Sequence, residues 1–346
     1  MLSVFGLAFA LSFGLTPLVR RLALRTGLVD RPGFRRMHAR LMPRGGGVAI
    51  YAAFWLAVGL CSPNFDAYWG LWLASTVILA VGLIDDRVSL PWYAKLAGQL
   101  VGALIFAVWG GRIEFVTHPL SGAPVYIGAW GWPLTLLWLV SLANMVNLID
   151  GLDGLAAGVA AIACVPLMVV ALSLGRAEAA LLTAALAAAT LGFLPHNFHP
   201  ARIIMGDSGA LFLGFALGAI SVEGALKGPT TLAFVVPVLA LGLPIFETLF
   251  SIVRRLAAGR PVYEADADHL HHRLLGMGLS HRQAVVTLYG VSALMGASAL
   301  LARDASAAGG LGLLGLVALA ATLFAVRLGG LAGAQAGLSQ TRHPGL

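Results

Sequence analysis

The stretch Asn144-Met-Val-Asn147-Leu-Ile-Asp150-Gly-Leu-Asp153-Gly-Leu155 places two carboxylates and two carboxamides between two long apolar segments. These segments, Trp130–Val146 and Leu155–Leu174, are each long enough, or nearly so, to span a bilayer. Polar side chains of this kind would be very costly if they faced lipid, so a functional site is the default interpretation. The stretch therefore predicts a membrane protein and the position of its site.

The four polar residues of this stretch recur every three positions. Three residues turn an α-helix by about 300°, so Asn144 and Asp153 would lie on opposite faces of one continuous helix. Gly151 and Gly154 favour a helix that ends near Asp150, because glycine frees the backbone to turn. The four side chains can then converge on one pocket at a membrane surface. A structural helix end with a capping Asn or Asp accounts for one of them, not for four.

The composition supports a membrane protein. The 346 residues are 59% hydrophobic and 11% charged, whereas soluble proteins carry about 25% charged residues. Continuous apolar runs favour helices over a β-barrel. We expect an all-α polytopic membrane protein with one integral-membrane domain, residues 1–328, and a short cytoplasmic tail, residues 329–346. Cys61 and Cys164 offer no disulfide framework and no metal-ligand spacing.

Eleven apolar runs are expected to form transmembrane helices. They lie near residues 1–19, 45–62, 67–84, 92–109, 130–149, 155–174, 178–195, 209–226, 229–253, 283–302 and 308–326. Pro237 and Pro244 should kink the ninth of these helices. Between the fourth and fifth runs, Ile113–Val116 and Pro124–Ile127 are expected to pair as a small hairpin.

The distribution of arginine sets the expected orientation. Eight arginines follow the first apolar run: Arg20, Arg21, Arg25, Arg31, Arg35, Arg36, Arg40 and Arg44. Cytoplasmic loops carry an excess of Lys and Arg, so this loop should be cytoplasmic and Met1 external. Eleven crossings then put the C-terminus and the basic loop 254–282 in the cytoplasm. The net charge of +7 is thereby explained without nucleic acid as a partner.

Five polar clusters share the predicted cytoplasmic side. They are Asp30, Asp85-Asp86, Asn144–Asp153, Asp207 and His269–His272. The middles of the predicted helices are almost free of charge, whereas a transporter or proton relay would place charged groups at mid-bilayer. An active site at the membrane surface is therefore favoured, and a nucleotide-sugar or lipid transporter is the main alternative.

The residue types in these clusters indicate the chemistry. Clustered carboxylates with Asn form a hard-oxygen site suited to Mg²⁺, which usually works together with substrate phosphates. Asp150-Gly-Leu-Asp153-Gly is not an EF-hand, because Ala161 stands where that loop needs Glu. The His269–His272 cluster could bind zinc, but no cysteine or second ligand set supports this. A phosphate or sugar clamp is favoured there.

Four motifs, in this order, resemble those of the polyprenyl-phosphate N-acetylhexosamine-1-phosphate transferases, the glycosyltransferase 4 superfamily of MraY, WecA and TagO. The motifs are Asp85-Asp86-Arg87, Asn144-xx-Asn147-xx-Asp150-Gly-x-Asp153-Gly-Leu, Met205-Gly-Asp207-Ser-Gly and His269-x-His271-His272-Arg273. The resemblance spans most of the chain, from Val29 to Arg273. The histidine motif looks like that of the WecA and TagO branch. The family has ten or eleven helices, in agreement with the count above.

The resemblance implies an enzyme of the bacterial plasma (inner) membrane. Members of this branch transfer N-acetylglucosamine 1-phosphate from a UDP-sugar to undecaprenyl or another polyprenyl phosphate, and release UMP. This is the first membrane step in making a cell-envelope polysaccharide, such as lipopolysaccharide or teichoic acid. Mg²⁺ is required, Mn²⁺ is expected to substitute, and a homodimer is compatible with the family. An MraY-type enzyme that transfers phospho-MurNAc-pentapeptide is the alternative within the family.

The resemblance also implies residue roles. Asp207 is the expected Mg²⁺ ligand together with Asp150, and Asp85 and Asp86 lie at the reacting phosphates; these four form the expected catalytic set. The expected substrate-binding residues are Asp30, Lys95, Asn144, Asn147, Asp153, His269, His271, His272 and Arg273. Glu247 matches an acidic position in the bent ninth helix of the family, without an assigned role.

The orientation can be tested by cysteine labelling. In a Cys61→Ser background, Arg36→Cys should resist a membrane-impermeant thiol reagent added to intact cells, because the predicted loop is cytoplasmic. Ser121→Cys, in the predicted external segment, is the matched control and should react. Labelling of Arg36→Cys in intact cells would overturn the predicted orientation.

Overall fold

The structure, a computed structural model, describes residues 1–30, 41–118, 121, 123–226, 234–259, 261 and 269–341. The predicted loop arginines 31, 35, 36 and 40 and the tail residues 342–346 lie outside the described residues. The helices are α1 (Leu2–Thr26), α2 (Gly47–Cys61), α3 (Trp69–Val88), α4 (Trp92–Trp109), α5 (Gly131–Ile149), α6 (Leu155–Ser173), α7 (Ala177–Asn197), α8 (Gly206–Ser221), α9 (Val235–Ala240), α10 (Gly242–Ala257), α11 (Leu270–Gly276), α12 (His281–Arg303) and α13 (Ala307–Thr341).

Nine helical segments within the described ranges are long and apolar enough to cross a membrane. They contain α1, α3 to α8, α12 and α13. Helix α2 is apolar but has only 15 residues. The prediction of an all-α polytopic membrane protein is confirmed. A total of eleven crossings requires that α2 and the α9–α10 pair also cross the membrane.

The predicted bend in the ninth apolar run is confirmed in its described part. Helix α9 ends at Ala240 and α10 begins at Gly242, with Leu241 in a non-helical conformation between them. Pro237 lies inside α9, and Pro244 lies in the first turn of α10. Pro244 has no amide hydrogen to donate to Ala240 O, so its ring interrupts the hydrogen-bond ladder between the two helices.

Two small antiparallel sheets accompany the helices. Strands β1 (Val29–Asp30) and β2 (Met42–Pro43) pair after α1. Strands β3 (Phe115–Thr117) and β4 (Pro124–Tyr126) pair between α4 and α5, with Val116 opposite Val125. The predicted small hairpin is therefore confirmed.

Helix α8 is the central helix of the fold. Every residue of α8 except Asp207 is buried, and α8 packs against α2, α3, α5 and α7. A helix that is apolar on all sides is expected in the core. The one residue of α8 with an accessible side chain therefore lies at its first turn.

Glycines let α2 and α3 approach the first turn of α8 closely. A Cβ atom added at Gly82 of α3 would collide with the main chain of Ser208, and one added at Gly47 of α2 would collide with Gly209. Such contact between main chains requires the absence of a side chain. It brings the end of α3, which carries Asp85 and Asp86, against the start of α8.

The polar stretch between α5 and α6 forms the expected turn. Helix α5 ends at Ile149, and Asp150 follows it in a non-helical conformation. Gly154 has φ +82°, in the left-handed region, immediately before α6 begins at Leu155. The predicted helix end near Asp150 is confirmed.

The last helix is longer than the sequence indicates. Helix α13 continues to Thr341, through much of the predicted tail that starts at residue 329. The boundary between domain and tail stays a prediction.

Candidate active site

The Lys95 ammonium group lies among polar side chains from three other helices. Its Nζ donates to Asp85 Oδ2 at 2.9 Å, to Asn147 Oδ1 at 3.4 Å and to Asp207 Oδ2. Asp85 lies in the last turn of α3, Lys95 in the first turn of α4, Asn147 in the last turn of α5 and Asp207 in the first turn of α8. Four helix ends thus meet at one polar centre.

Asp85 is also held by the turn that follows α3. Its Oδ1 accepts a hydrogen bond of 2.6 Å from the amide of Leu90. That turn contains Ser89, which has φ +51°. The side chain therefore closes the connection to α4 with one oxygen and binds Lys95 with the other.

Asp86 has a different environment from its neighbour. Its buried carboxylate accepts hydrogen bonds from the Asp207 amide (2.8 Å), the Ser208 amide (3.1 Å) and the Ser208 hydroxyl (2.8 Å). A Cβ added at Gly206, which has φ +76°, would lie 2.5 Å from this carboxylate. Asp86 therefore caps the first turn of α8, and a carboxylate at a helix N-terminus is favourable. Its expected place at the reacting phosphates stays a prediction.

Asp150 lies near the same centre. Burial, followed by the charges of Asp207 and Asp86, raises the pKa of Asp150 well above its usual range, while Arg44 opposes this shift. A carboxyl crowded by other carboxylates is stabilised by a proton or a cation. This electrostatic environment is suited to a cation-binding role.

Asn144 pairs with Gln99 rather than with the centre. The two carboxamides exchange hydrogen bonds of 3.2 and 2.7 Å, and the Asn144 amide also donates to Val140 O at 2.8 Å. Gln99 lies one turn beyond Lys95 on α4. The pair joins α4 to α5 just behind the polar centre.

Asp153 lies in a second cluster. Its Oδ2 accepts hydrogen bonds from the Ala201 amide at 3.1 Å and interacts with His199 Nδ1 at 2.9 Å. The His199 ring stacks on His281 with 4.1 Å between centroids. Ligand atoms of these three side chains lie within 4.8 Å of one another, so the group could hold a metal ion.

The turn that carries Asp153 is also fixed through its main chain. The Gly154 amide donates to Asn197 Oδ1 at 3.0 Å, and its carbonyl accepts from the Tyr289 hydroxyl at 2.5 Å. Helices α7 and α12 thus hold the turn between α5 and α6.

The first two residues of the histidine motif contact a buried glutamate, Glu247. Glu247 Oε1 accepts a 2.8 Å hydrogen bond from the Leu270 amide and lies 3.0 Å from His269 Nδ1. Glu247 therefore fixes the start of α11 to α10. This contact gives a structural role to the residue whose role the sequence left open.

His271 connects the motif to the Asp150 turn. A Cβ added at Gly151 would lie 2.5 Å from His271 Nε2, and the His271 ring lies 4.2 Å from that of His272. Burial and the neighbouring histidines lower the pKa of His271 to about 3. The imidazole is therefore neutral at pH 7 and offers one donor and one acceptor.

Arg273 and Asp30, two other expected substrate-binding residues, have contacts outside the polar centre. Arg273 Nη1 donates to Ala325 O of α13 at 3.0 Å, and its guanidinium lies over Phe250, 5.5 Å from the ring centroid. Asp30 lies in β1, opposite Met42 of β2. Their binding roles stay predictions.

Arg44, which the sequence indicated only as a topological charge, lies beside the polar centre. Its Nη1 lies 3.8 Å from Asp86 Oδ1. Its place beside the Gly45-Gly46-Gly47 turn was the available signal, because consecutive glycines allow close approach of the backbone. Ser208 lies in the Met205-Gly-Asp207-Ser-Gly motif, whereas Gln99 and His199 carried no such signal in the sequence.

Two groups in the described part of the chain have metal-ligand chemistry. Asp85, Asn147, Asp150 and Asp207 offer hard oxygen donors, which fit Mg²⁺. Asp153, His199 and His281 mix oxygen with imidazole nitrogen, a set that suits transition metals such as zinc. For Mg²⁺, the oxygen set is therefore a better match than the set of Asp153, His199 and His281.

Fold and site define a class: a polytopic helical membrane protein with a carboxylate–lysine centre where several of its helices end. Residues 68–225 match the family model described as glycosyl transferase family 4. A probable undecaprenyl-phosphate N-acetylglucosaminyl 1-phosphate transferase of Bacillus subtilis (strain 168) is 39% identical, over 84% of this chain and 82% of the relative.

Two further relatives have matching names. A decaprenyl-phosphate N-acetylglucosaminephosphotransferase of Mycolicibacterium smegmatis is 36% identical, over 96% of this chain and 91% of the relative. An undecaprenyl-phosphate alpha-N-acetylglucosaminyl 1-phosphate transferase of Escherichia coli (strain K12) is 26% identical, over 82% of this chain and 79% of the relative. The chain belongs to glycosyl transferase family 4, in its WecA- and TagO-like branch, and the resemblance found in the motifs is confirmed.

The capping role of Asp86 can be tested by stability. Asp86→Ala leaves two main-chain amides of α8 without their acceptor, which should lower the free energy of unfolding by about 1–3 kcal/mol. The thermal unfolding midpoint in detergent measures this loss. Asp66→Ala, at an exposed aspartate before α3, is the control and should change little. Equal midpoints for the two variants would contradict the capping role.

Proposed function

We propose that this chain transfers N-acetylglucosamine 1-phosphate from UDP-N-acetylglucosamine to undecaprenyl or another polyprenyl phosphate. The products are the polyprenyl-diphosphate sugar and UMP. The observation that carries this proposal is the meeting of Lys95, Asp85, Asn147 and Asp207 at the helix ends, in a chain whose relatives carry the names given above.

The reaction is a displacement at phosphorus. An oxygen of the lipid phosphate forms a bond to the phosphorus next to the sugar, and the bond from that phosphorus to the UMP oxygen breaks. The electron pair of the broken bond leaves with UMP. The sugar carbon takes no part, so its anomeric configuration is retained without a glycosidase-like pair of carboxylates.

No side chain needs to deprotonate the nucleophile. A phosphate monoester has a second pKa near 6, so the lipid phosphate is mostly dianionic at pH 7. The carboxylates contribute more by fixing geometry, which is how most phosphoryl transfer is catalysed. A covalent aspartyl-phosphate route ranks below direct attack.

This assignment gives roles to individual residues. Asp207 and Asp150 would hold Mg²⁺, which neutralises charge on the reacting phosphates when bound. Lys95 orients Asp85 and Asp207 and would bring its ammonium group to a phosphate oxygen. The neutral imidazole of His271 suits hydrogen bonding to an acetamido sugar.

The cellular setting is part of the proposal. We place the chain in the bacterial inner membrane, with Met1 outside and the polar centre on the cytoplasmic side, where nucleotide sugars are available. A homodimer stays a prediction.

Turnover by the purified full chain tests the function. With UDP-N-acetylglucosamine, polyprenyl phosphate and Mg²⁺, the protein should release UMP, and chelation of Mg²⁺ should stop the release. Asp207→Asn should lower the rate by about 100-fold or more with an unchanged unfolding midpoint. A near-native rate for Asp207→Asn at ordinary Mg²⁺ would refute the metal assignment, and a wild-type chain without UMP release would favour a transporter.

The donor sugar is tested side by side with a larger donor. The His269-Leu-His271-His272-Arg273 motif resembles that of enzymes for the smaller donor, so UDP-N-acetylglucosamine should be turned over well and UDP-MurNAc-pentapeptide poorly. Efficient turnover of the pentapeptide donor, with none of UDP-N-acetylglucosamine, would reassign the chain to the MraY type.

A further inference from the structure

Arg44 lies on a main-chain segment that is hydrogen-bonded directly to the residues just before α8. Its own amide donates to Leu28 O at 3.0 Å. On either side of it, the Ile204 amide donates to Pro43 O (3.0 Å) and the Gly46 amide donates to Ile204 O (3.1 Å). The position of Arg44 relative to Asp207 is therefore fixed by several main-chain hydrogen bonds.

The guanidinium is only loosely engaged by Asp86. The distance from Nη1 to Asp86 Oδ1 is 3.8 Å, which is too long for a hydrogen bond. The Asp86 carboxylate is already the acceptor of three hydrogen bonds from the first turn of α8. Asp86 is thus stabilised by α8 and does not depend on Arg44 for its hydrogen bonds.

The donors of Arg44 have unused capacity. Within the described ranges its Nε is buried and has no hydrogen-bond partner, although a guanidinium offers five donors in a rigid fork. The side chain remains 26% exposed. A buried donor without an acceptor is unfavourable, so an oxygen-rich ligand at this position would satisfy it.

Arg44 is a second cation beside the acidic centre, and its hydrogen-bond donors are less engaged than those of Lys95. Lys95 is engaged by the carboxylates of Asp85 and Asp207. By contrast, Arg44 Nη1 is 3.8 Å from the Asp86 carboxylate, beyond hydrogen-bond distance. It is therefore a cation at the edge of the acidic centre whose hydrogen-bond donors are not committed to carboxylates.

We propose that Arg44 binds a substrate phosphate through its guanidinium fork, beside the centre formed by Lys95, Asp85, Asn147 and Asp207. Planar paired N–H donors match phosphate oxygens. This inference rests on the proposed function. Two phosphate esters could supply the oxygens, the diphosphate of the UDP-sugar and the phosphate of the polyprenyl lipid, and kinetics distinguishes them.

The test uses the full chain in detergent with Arg44→Gln, Arg44→Lys and the control Arg25→Gln. Arg25 is an exposed arginine near the end of α1, so its replacement removes the same charge. Wild-type UMP release is measured first, because its absence refutes the proposed function whatever Arg44 does. KM is then measured separately for UDP-N-acetylglucosamine and for polyprenyl phosphate.

We expect Arg44→Gln to raise the KM of one substrate by about tenfold or more. Its unfolding midpoint should equal that of the Arg25→Gln control. A rise for the UDP-sugar alone identifies its diphosphate as the ligand, and a rise for the lipid alone identifies the lipid phosphate. Arg44→Lys should show a smaller rise, because lysine keeps the charge but loses the fork.

Two results would overturn the proposal. The first is a KM within about twofold of wild type for both substrates in both Arg44 variants. The second is a lower unfolding midpoint and kcat with both KM values unchanged, which would mean that Arg44 acts only by supporting Asp86. If Arg44→Gln fails to fold, Arg44→Lys alone decides by the same criteria.

Discussion

The carboxylate of Asp86, bound to the first turn of α8, is the interaction on which the site depends. A buried charge is tolerated when its oxygens are fully hydrogen-bonded, and α8 supplies two amides and a hydroxyl for this purpose. The contact fixes the end of α3 relative to the start of α8. One of these amides belongs to Asp207, so the same contact holds the Asp207 side chain beside Lys95.

The other polar residues divide according to what they contact. Lys95, Asp85, Asn147 and Asp207 touch one another at the centre. Pairs behind it join neighbouring elements: Asn144 with Gln99, Asp153 with His199, and Glu247 with His269. Such supporting contacts on rigid helices hold a site to the narrow tolerances that catalysis requires. Among the described residues named here, one group therefore meets at the centre and the other joins neighbouring elements.

Charge is the second constraint on the site. Carboxylates outnumber the cations Lys95 and Arg44 among the described residues of the centre, and the proposed substrates are both anionic. For the proposed reaction, such a site would need the charge of a cation and correctly aimed donors to bring two phosphates together. The neutral His271 adds hydrogen-bonding capacity without adding charge.

The sequence by itself determined the membrane class, the bent ninth run, the turn after Asp150 and the family. Each of these follows from local signals: hydropathy, proline and glycine positions, and ordered motifs. Only the tertiary structure decided that Asp85 binds Lys95 whereas Asp86 caps α8, that Asn144 pairs with Gln99, and that Arg44 lies beside Asp86. The physical reason is that a side chain's partner is set by how distant helices pack, and adjacent residues on one helix end face different neighbours.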